Sequence, residues 1–191
     1  MKIIVGLGNP GESYRNTRHN AGRRVIAGLR RKSSAGVIRK HRLFRAWEAD
    51  FDGTIAVLVR PRTFMNGSGK AVNAALQAFG ESPGNLVVVH DDLDIPLGSI
   101  KVTPRSGPGS HNGVISVIEE AGTRYFPRVR VGIGREHITV SPIQYVLSPV
   151  APDEKEPFEH AVECAVVACE DIVILGIEKA MTKHNTAEKP E

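Results

Sequence analysis

Cysteine is scarce. The 191 residues contain two, Cys164 and Cys169, too few for a disulfide framework. They stand five apart in a predicted helix, so they point in different directions and are not expected to bridge. A reducing compartment is the default for such a chain. Long apolar runs are also lacking, and none reaches the length that crosses a bilayer. No signal-peptide pattern opens the chain, because Lys2 to Leu7 already reads as a strand. The expectation is a cytoplasmic protein. Internal repeats and domain linkers are missing, which points to one domain over residues 1–181 followed by a polar, disordered tail, 182–191. Acids are outnumbered: 25 Lys and Arg face 21 Asp and Glu, a net charge of +4 that favours a polyanionic partner. The one tryptophan, Trp47, lies in a predicted hairpin, where packing is its expected role.

Most elements follow from hydrophobic period. Ala21 to Lys32 places Val25, Ile26 and Leu29 on one helical face. Leu43 to Asp50 and Thr54 to Arg60 alternate like strands around Asp52-Gly53, a hairpin signal. Val72, Ala75, Leu76 and Phe79 share a helical face that Gly80 stops, and Asn66 stands ahead of it as a possible cap. Asn85 to Asp94 is an apolar strand ending in acids, the pattern of a strand buried on both faces. Ser99 to Thr103 reads as a strand and Pro104 to Ser110 as a lid-like loop. Val114, Val117 and Ile118 mark a further helix, and Arg128 to Arg135 a strand with alternating arginines, of the kind found at a basic edge. Asp153 and Glu156 have capping-box spacing at the start of a last helix buried through Phe158, Ala161, Val162, Ala165, Val166 and Cys169.

Two nucleotide motifs fail on inspection. Gly6-Leu7-Gly8-Asn9-Pro10-Gly11 matches GxGxxG after a strand, but no apolar helical period follows Gly11. The acidic residue expected later is replaced by Arg30-Arg31-Lys32. The alternative is a tight turn that displays Asn9, whose type tolerates left-handed backbone. Gly69-Lys70 lacks the leading glycine of a P-loop, and Ala71 replaces its Ser or Thr. Asp91, Asp92 and Asp94 could hold Mg²⁺, but no phosphate loop accompanies them. A sharper use is one carboxylate, Asp91, orienting a histidine. That histidine is His19, within Thr17-Arg18-His19-Asn20-Ala21-Gly22, a general-base candidate by type. No Ser or Cys sits in a nucleophile elbow; Ser68 is the nearest.

The glycine-rich turn, Tyr14, the Thr17–Gly22 run, Thr63-Phe64-Met65-Asn66, Ser68-Gly69, His90-Asp91, Leu93-Asp94, His111-Asn112-Gly113 and Arg130-Val131-Gly132-Ile133-Gly134 occur in an order and spacing that resemble bacterial peptidyl-tRNA hydrolases. The resemblance runs over nearly the whole chain. It implies a single α/β domain with a mixed, mostly parallel sheet between helices. It further implies a monomer without metal or cofactor that acts on peptidyl-tRNA by cleaving the ester between peptide and terminal ribose. By motif, His19 matches the catalytic base and Asp91 its orienting carboxylate. Asn9, Asn66 and Asn112 match residues that bind the peptidyl end, and Tyr14, Asn20, Phe64, Met65 and His111 match the cleft lining. Arg130 matches one member of a basic pair that grips the 5′-phosphate. The other position is Thr103 here, flanked by Lys101 and Arg105. Ile115 and Arg135-Glu136-His137 are further departures, all on the tRNA side. Two other readings stand beside the hydrolase: a non-catalytic RNA-binding relative and a nucleotide-binding enzyme.

Overall fold

β-Branched apolar runs at Ile3-Ile4-Val5 and Leu86 to Val89 form strands whose two faces are both buried, and the molecule is built outward from them. The computed structural model describes residues 1–33, 35–135, 138 and 140–185. In chain order the strands are β1 Lys2–Gly6, β2 Gly36–Lys40, β3 Phe44–Phe51, β4 Thr54–Pro61, β5 Leu86–Asp92, β6 Ile100–Thr103 and β7 Arg128–Gly132. They form one sheet in the order β2-β3-β4-β1-β5-β7-β6. The inner strands β4, β1, β5 and β7 run parallel, and antiparallel strands close both sides. The expected mixed α/β sheet is what the chain adopts, with three parallel pairings at its centre and three antiparallel ones outside them.

The helices are α1 Ala21–Lys32, α2 Ser68–Phe79, α3 Asn112–Ala121, α4 Pro142–Leu147, α5 Lys155–Leu175 and α6 Ile177–Asn185. Alternation along β1 sends Ile4 to a core shared with Val25 and Leu29 of α1 and Phe158 of α5. Ile3 and Val5 face a second core with Val72 of α2 and Val117 of α3. The sheet is thus covered on both faces, and its parallel strands end together where ligands bind in open α/β folds. The Asp52-Gly53 turn has both φ values positive, 51° and 82°, the geometry a tight hairpin needs. Trp47 packs as expected, fully buried with the Arg30 guanidinium 4.0 Å above its ring.

Several sequence expectations are corrected. β7 is not an edge: β6 pairs with its outer side, and Val129 and Val131 pack into the core beneath α5. No Asp153 capping box forms, since α5 starts at Lys155 behind Glu154, whose side chain is spent on Arg18. A complete capping box lies instead at Ser141 and Gln144, opening α4. Asn66 caps nothing: α2 begins behind Gly67 with no side-chain cap. Nor is Asn9 left-handed, since Asp52 is the one described non-glycine residue with positive φ. Residues 182–185 belong to α6, and the Asn185 amide both accepts from Val102 N and donates to Val102 O at 2.8 Å, covering edge strand β6. The remainder of the expected tail, 186–191, lies outside the described residues, as do Glu136 and His137.

The entry into α1 depends on Gly22. A Cβ there would stand 2.3 Å from Val89 O and 2.5 Å from Leu7 N, both backbone atoms of the parallel strand ends. Gly22→Ala therefore has to push α1 off the sheet. Denaturant unfolding should show a loss near the upper end of the about 1–3 kcal/mol typical of overpacking, and the residues just ahead of α1 should move with it.

Candidate active site

The carboxylate of Asp91 lies at the end of β5 and is buried. A buried carboxylate must be satisfied, and two imidazoles do so. His19 Nδ1 lies 2.9 and 3.0 Å from its two oxygens, and His111 Nε2 lies 3.1 Å from Oδ1. His19 is carried by a short 3-10 helix, Arg18–Asn20, immediately before α1. His111 is the N-cap of α3, where its Nδ1 accepts from Val114 N at 3.2 Å. That bond leaves the His111 proton on Nε2, donated to Asp91. With Asp91 ionised, His19 likewise carries its proton on Nδ1 and presents the Nε2 lone pair to the cleft it lines.

The electrostatics follow from this trio. Burial acts to raise the Asp91 pKa, but the charge and hydrogen bonds of His19 and His111 hold the carboxyl far below the usual carboxylate range. Burial pulls His19 down, yet Asp91, through charge and hydrogen bond together, leaves it above the ordinary imidazole value. Next to them His90 is held well below that value, first by burial and then by His111. Its Nδ1 donates to Asp91 O at 2.7 Å, and its ring packs edge-on against His111, 4.8 Å between centroids. Ligand atoms of His19, Asp91 and His111 all lie within 4.8 Å of one another, the one such group among the described residues that could hold a metal ion. In the geometry seen, both carboxylate oxygens are already engaged by imidazole N–H groups.

A cleft of about 670 Å³ opens in front of the trio. Asn9 walls one side. Its Oδ1 accepts from Met65 N at 2.8 Å, which turns its Nδ2 donors toward the cleft. Asn20 holds the same turn from behind: Oδ1 accepts from Asn9 N at 2.7 Å and Nδ2 donates to Asn9 O at 3.1 Å. Asn20 was expected in the cleft lining; the structure places it behind that lining, with its amide spent on Asn9. Phe64, Met65, Asn66, His111 and Asn112 do line the cleft. Tyr14 stands outside the lining and meets Phe64 edge-on, ring centroids 6.2 Å apart. Pro142, Ile143, Val146 and Leu147, from a helix the sequence did not reveal, supply an apolar wall.

Arginines frame the far end. Arg130 lines the cleft and donates to Asp92 at 2.8 Å. Lys101 is directly opposite it in the β6–β7 register, exposed, but does not line the cleft. Arg105 is also outside the lining, near the Tyr125 ring. Asp92 and Asp94 are therefore not a metal cluster: Arg130 takes the first and Arg135 the second. Two arginines that the motifs did not single out organise the surroundings. Arg128 is buried and donates to the carbonyls of Ser106 and Gly107, tying the 104–110 loop to β7. Arg18 is buried between Glu154, the Tyr145 ring at 4.1 Å and the carbonyl of Pro149 at 2.9 Å. It joins the His19 turn to α4 and α5. Its place next to His19 was the only available signal.

Comparison with known proteins agrees over the whole length. A family model described as Peptidyl-tRNA hydrolase matches residues 3–191. The peptidyl-tRNA hydrolase of Alkaliphilus metalliredigens is 41% identical over 187 residues, covering 97% of this chain and 100% of its own. That of Aquifex aeolicus is 39% identical over 185 residues, covering 97% and 96%. The crystal structure of peptidyl-tRNA hydrolase from Acinetobacter baumannii superposes with a TM-score of 0.90 at 29% identity, covering all of this chain and 97% of the other.

Breaking the Arg18–Glu154 pair leaves one charge buried without its partner. Glu154→Ala should cost about 3–5 kcal/mol in equilibrium unfolding. A loss below about 1 kcal/mol would mean the pair is not what holds the His19 turn to α4 and α5.

Proposed function

Because this chain belongs to the peptidyl-tRNA hydrolase family and is an enzyme of that family, we propose that His19 is the general base of its hydrolysis of peptidyl-tRNA. The observation that carries this reading is the His19–Asp91 hydrogen bond, which fixes one imidazole nitrogen and leaves the other open to a cleft. A water between His19 Nε2 and the ester carbonyl loses its proton to the imidazole as its oxygen bonds to the carbonyl carbon. Asp91 stabilises the imidazolium that forms, as a carboxylate does in a hydrolase triad. The proton then passes to the ribose oxygen as the ester C–O bond breaks, giving free peptide and tRNA. No covalent enzyme intermediate is needed.

Asn9 is the best-placed donor for the oxyanion. Met65 N fixes its Oδ1, so its N–H groups are aimed before substrate arrives, as such stabilisation requires. Asn66 and Asn112 are exposed on the cleft rim, where unspent amides suit the peptide backbone. The apolar wall of α4 suits peptide side chains without selecting one. Arg130 grips a phosphate; its pairing with Asp92 fixes its direction and tempers its charge. Lys101, as its cross-strand neighbour, supplies the second charge more readily than Arg105. The protein works as a monomer, without metal or cofactor, in the cytoplasm.

Three outcomes test these roles. His19→Ala should lower turnover of an N-blocked aminoacyl-tRNA by about 10²–10⁴-fold with tRNA affinity retained, and added EDTA should leave the parent unaffected. For pH dependence, the base works when neutral. Since Asp91 raises His19, the acid limb of kcat/KM should fall at a midpoint above 6.5. Asp91→Asn removes that support and leaves burial, so the midpoint should drop below 6.5. A limb that does not move would reject the dyad. Arg130→Ala should raise KM more than it lowers kcat, because its contact is remote from the bond broken.

A further inference from the structure

A second hollow of about 520 Å³ shares Asn9 with the cleft but lies on its other side. It is walled by Arg15, Arg23, Arg24 and Arg60, with Asn20 and Ala27, and Glu12 is its one carboxylate. Arg60 belongs to β4 and points to the α1 side of the sheet, the face of its neighbour Leu58. Arg130 is on the opposite face, with His90 beside it in register. The two basic regions therefore flank the same end of the sheet from opposite sides.

Part of the arginine cluster in and behind this hollow lacks counter-charges. Arg15 pairs with Glu12 and Arg24 with Glu159. Among the described residues, Arg23, Arg30, Arg45, Arg60 and Arg62 pair with no carboxylate. Arg45 is directly across from Arg60 in the β3–β4 register, and Arg30 and Arg60 lie 4.0 and 5.4 Å from the same Trp47 ring. The Nε atoms of Arg30 and Arg60 are buried with no acceptor. Burial, then the charge of Arg60, brings Arg23 down to about 10, and burial and neighbouring arginines also lower Arg60. The first turn of α1 has no acid and carries Arg23 and Arg24, where the helix dipole disfavours cations. The mutual repulsion of Arg23 and Arg60 and the cations at the start of α1 cost free energy in the isolated protein, and an anion in the hollow offsets both. Guanidinium forks suit phosphate oxygens in particular.

We propose that this groove binds phosphodiester backbone of the tRNA whose peptidyl end occupies the cleft across Asn9. Arg15, Arg23, Arg24 and Arg60 line the hollow and Arg62 follows Arg60 two residues on in the chain, more cations than one small anion needs. The identity of the RNA rests on the hydrolase reading; the anion site itself does not.

The test uses full-length protein and deacylated tRNA, so binding is read apart from turnover. Affinity is measured against salt for the parent, Arg60→Gln, Arg60→Gln/Arg62→Gln, Arg60→Lys and, as a control for net charge, Lys179→Gln on exposed α6. Each phosphate no longer neutralised should flatten the log K against log[salt] slope by about 0.7–0.9. The expected result is a flatter slope and several-fold weaker binding for both Gln variants, recovery of the slope in Arg60→Lys, and no change in Lys179→Gln. Without RNA, Arg60→Gln should melt no lower than the parent, because it relieves repulsion. A parent slope retained in the double variant overturns the proposal. So does a case in which millimolar inorganic phosphate raises the parent's Tm through Arg60 while tRNA binding ignores it, since the site then takes a small anion. Failure of the parent to release peptide, with the slopes as expected, would overturn the hydrolase reading and leave the phosphodiester site standing.

Discussion

A buried carboxylate organises this molecule. Asp91 gives up its hydration at the end of a strand covered on both faces, and an ionised group in that position is costly unless it is fully hydrogen-bonded. Its partners come from segments far apart in the chain, His19 before α1 and His111 before α3. Each histidine is itself fixed: His19 by a turn that Arg18 clamps to α4 and α5, His111 by the N–H of Val114. Satisfying one carboxylate thus brings together the two faces of the sheet. The bond that stabilises the fold is the bond that sets the imidazole tautomer, so the site is aligned once the chain has folded.

The same economy holds around Asn9. Its carbonyl oxygen is used by Met65 and its backbone by Asn20, which leaves its N–H donors as the unspent part of the group. An asparagine so constrained costs nothing further to orient when charge develops in front of it. Asn66 and Asn112, exposed and without such bonds, keep the freedom that a peptide of arbitrary sequence demands.

Much of this was legible in the sequence where local chemistry decides. The Asp52-Gly53 turn, the apolar face of α1 and the double-sided burial of β5 each follow from a short window. The His19–Asp91 pair was legible from residue type and from the family motifs. What stayed hidden depends on partners distant in sequence. Asn20 looks like a cleft residue until the Asn9 turn folds over it, and Asp153 with Glu156 looks like a capping box until the helix starts one residue later, behind Glu154, which pairs with Arg18. The His111–Asp91 bond joins two motifs with no sign in either that they meet. α4 has too few turns for a clear period, and β2 is exposed along its whole length, so neither carries a strong hydrophobic signal.

The distribution of charge bears on the departure at Thr103. On the cleft side the arginines are balanced: Asp92 takes Arg130 and Asp94 takes Arg135. On the α1 side Arg15 has Glu12 and Arg24 has Glu159, but Arg23, Arg30, Arg45 and Arg60 pair with no acid among the described residues. A protein of net charge +4 has acids available, and packing alone gives no reason to leave these four without one. Salt-dependent attraction to a polyanion does. If the groove binds phosphate as proposed, the unpaired arginines offset on one side of the sheet's end the missing base at Thr103 on the other. On the proposed reading, substrate RNA is held by charge spread across two faces, with the hydrogen-bonded cleft between them free to act on the ester.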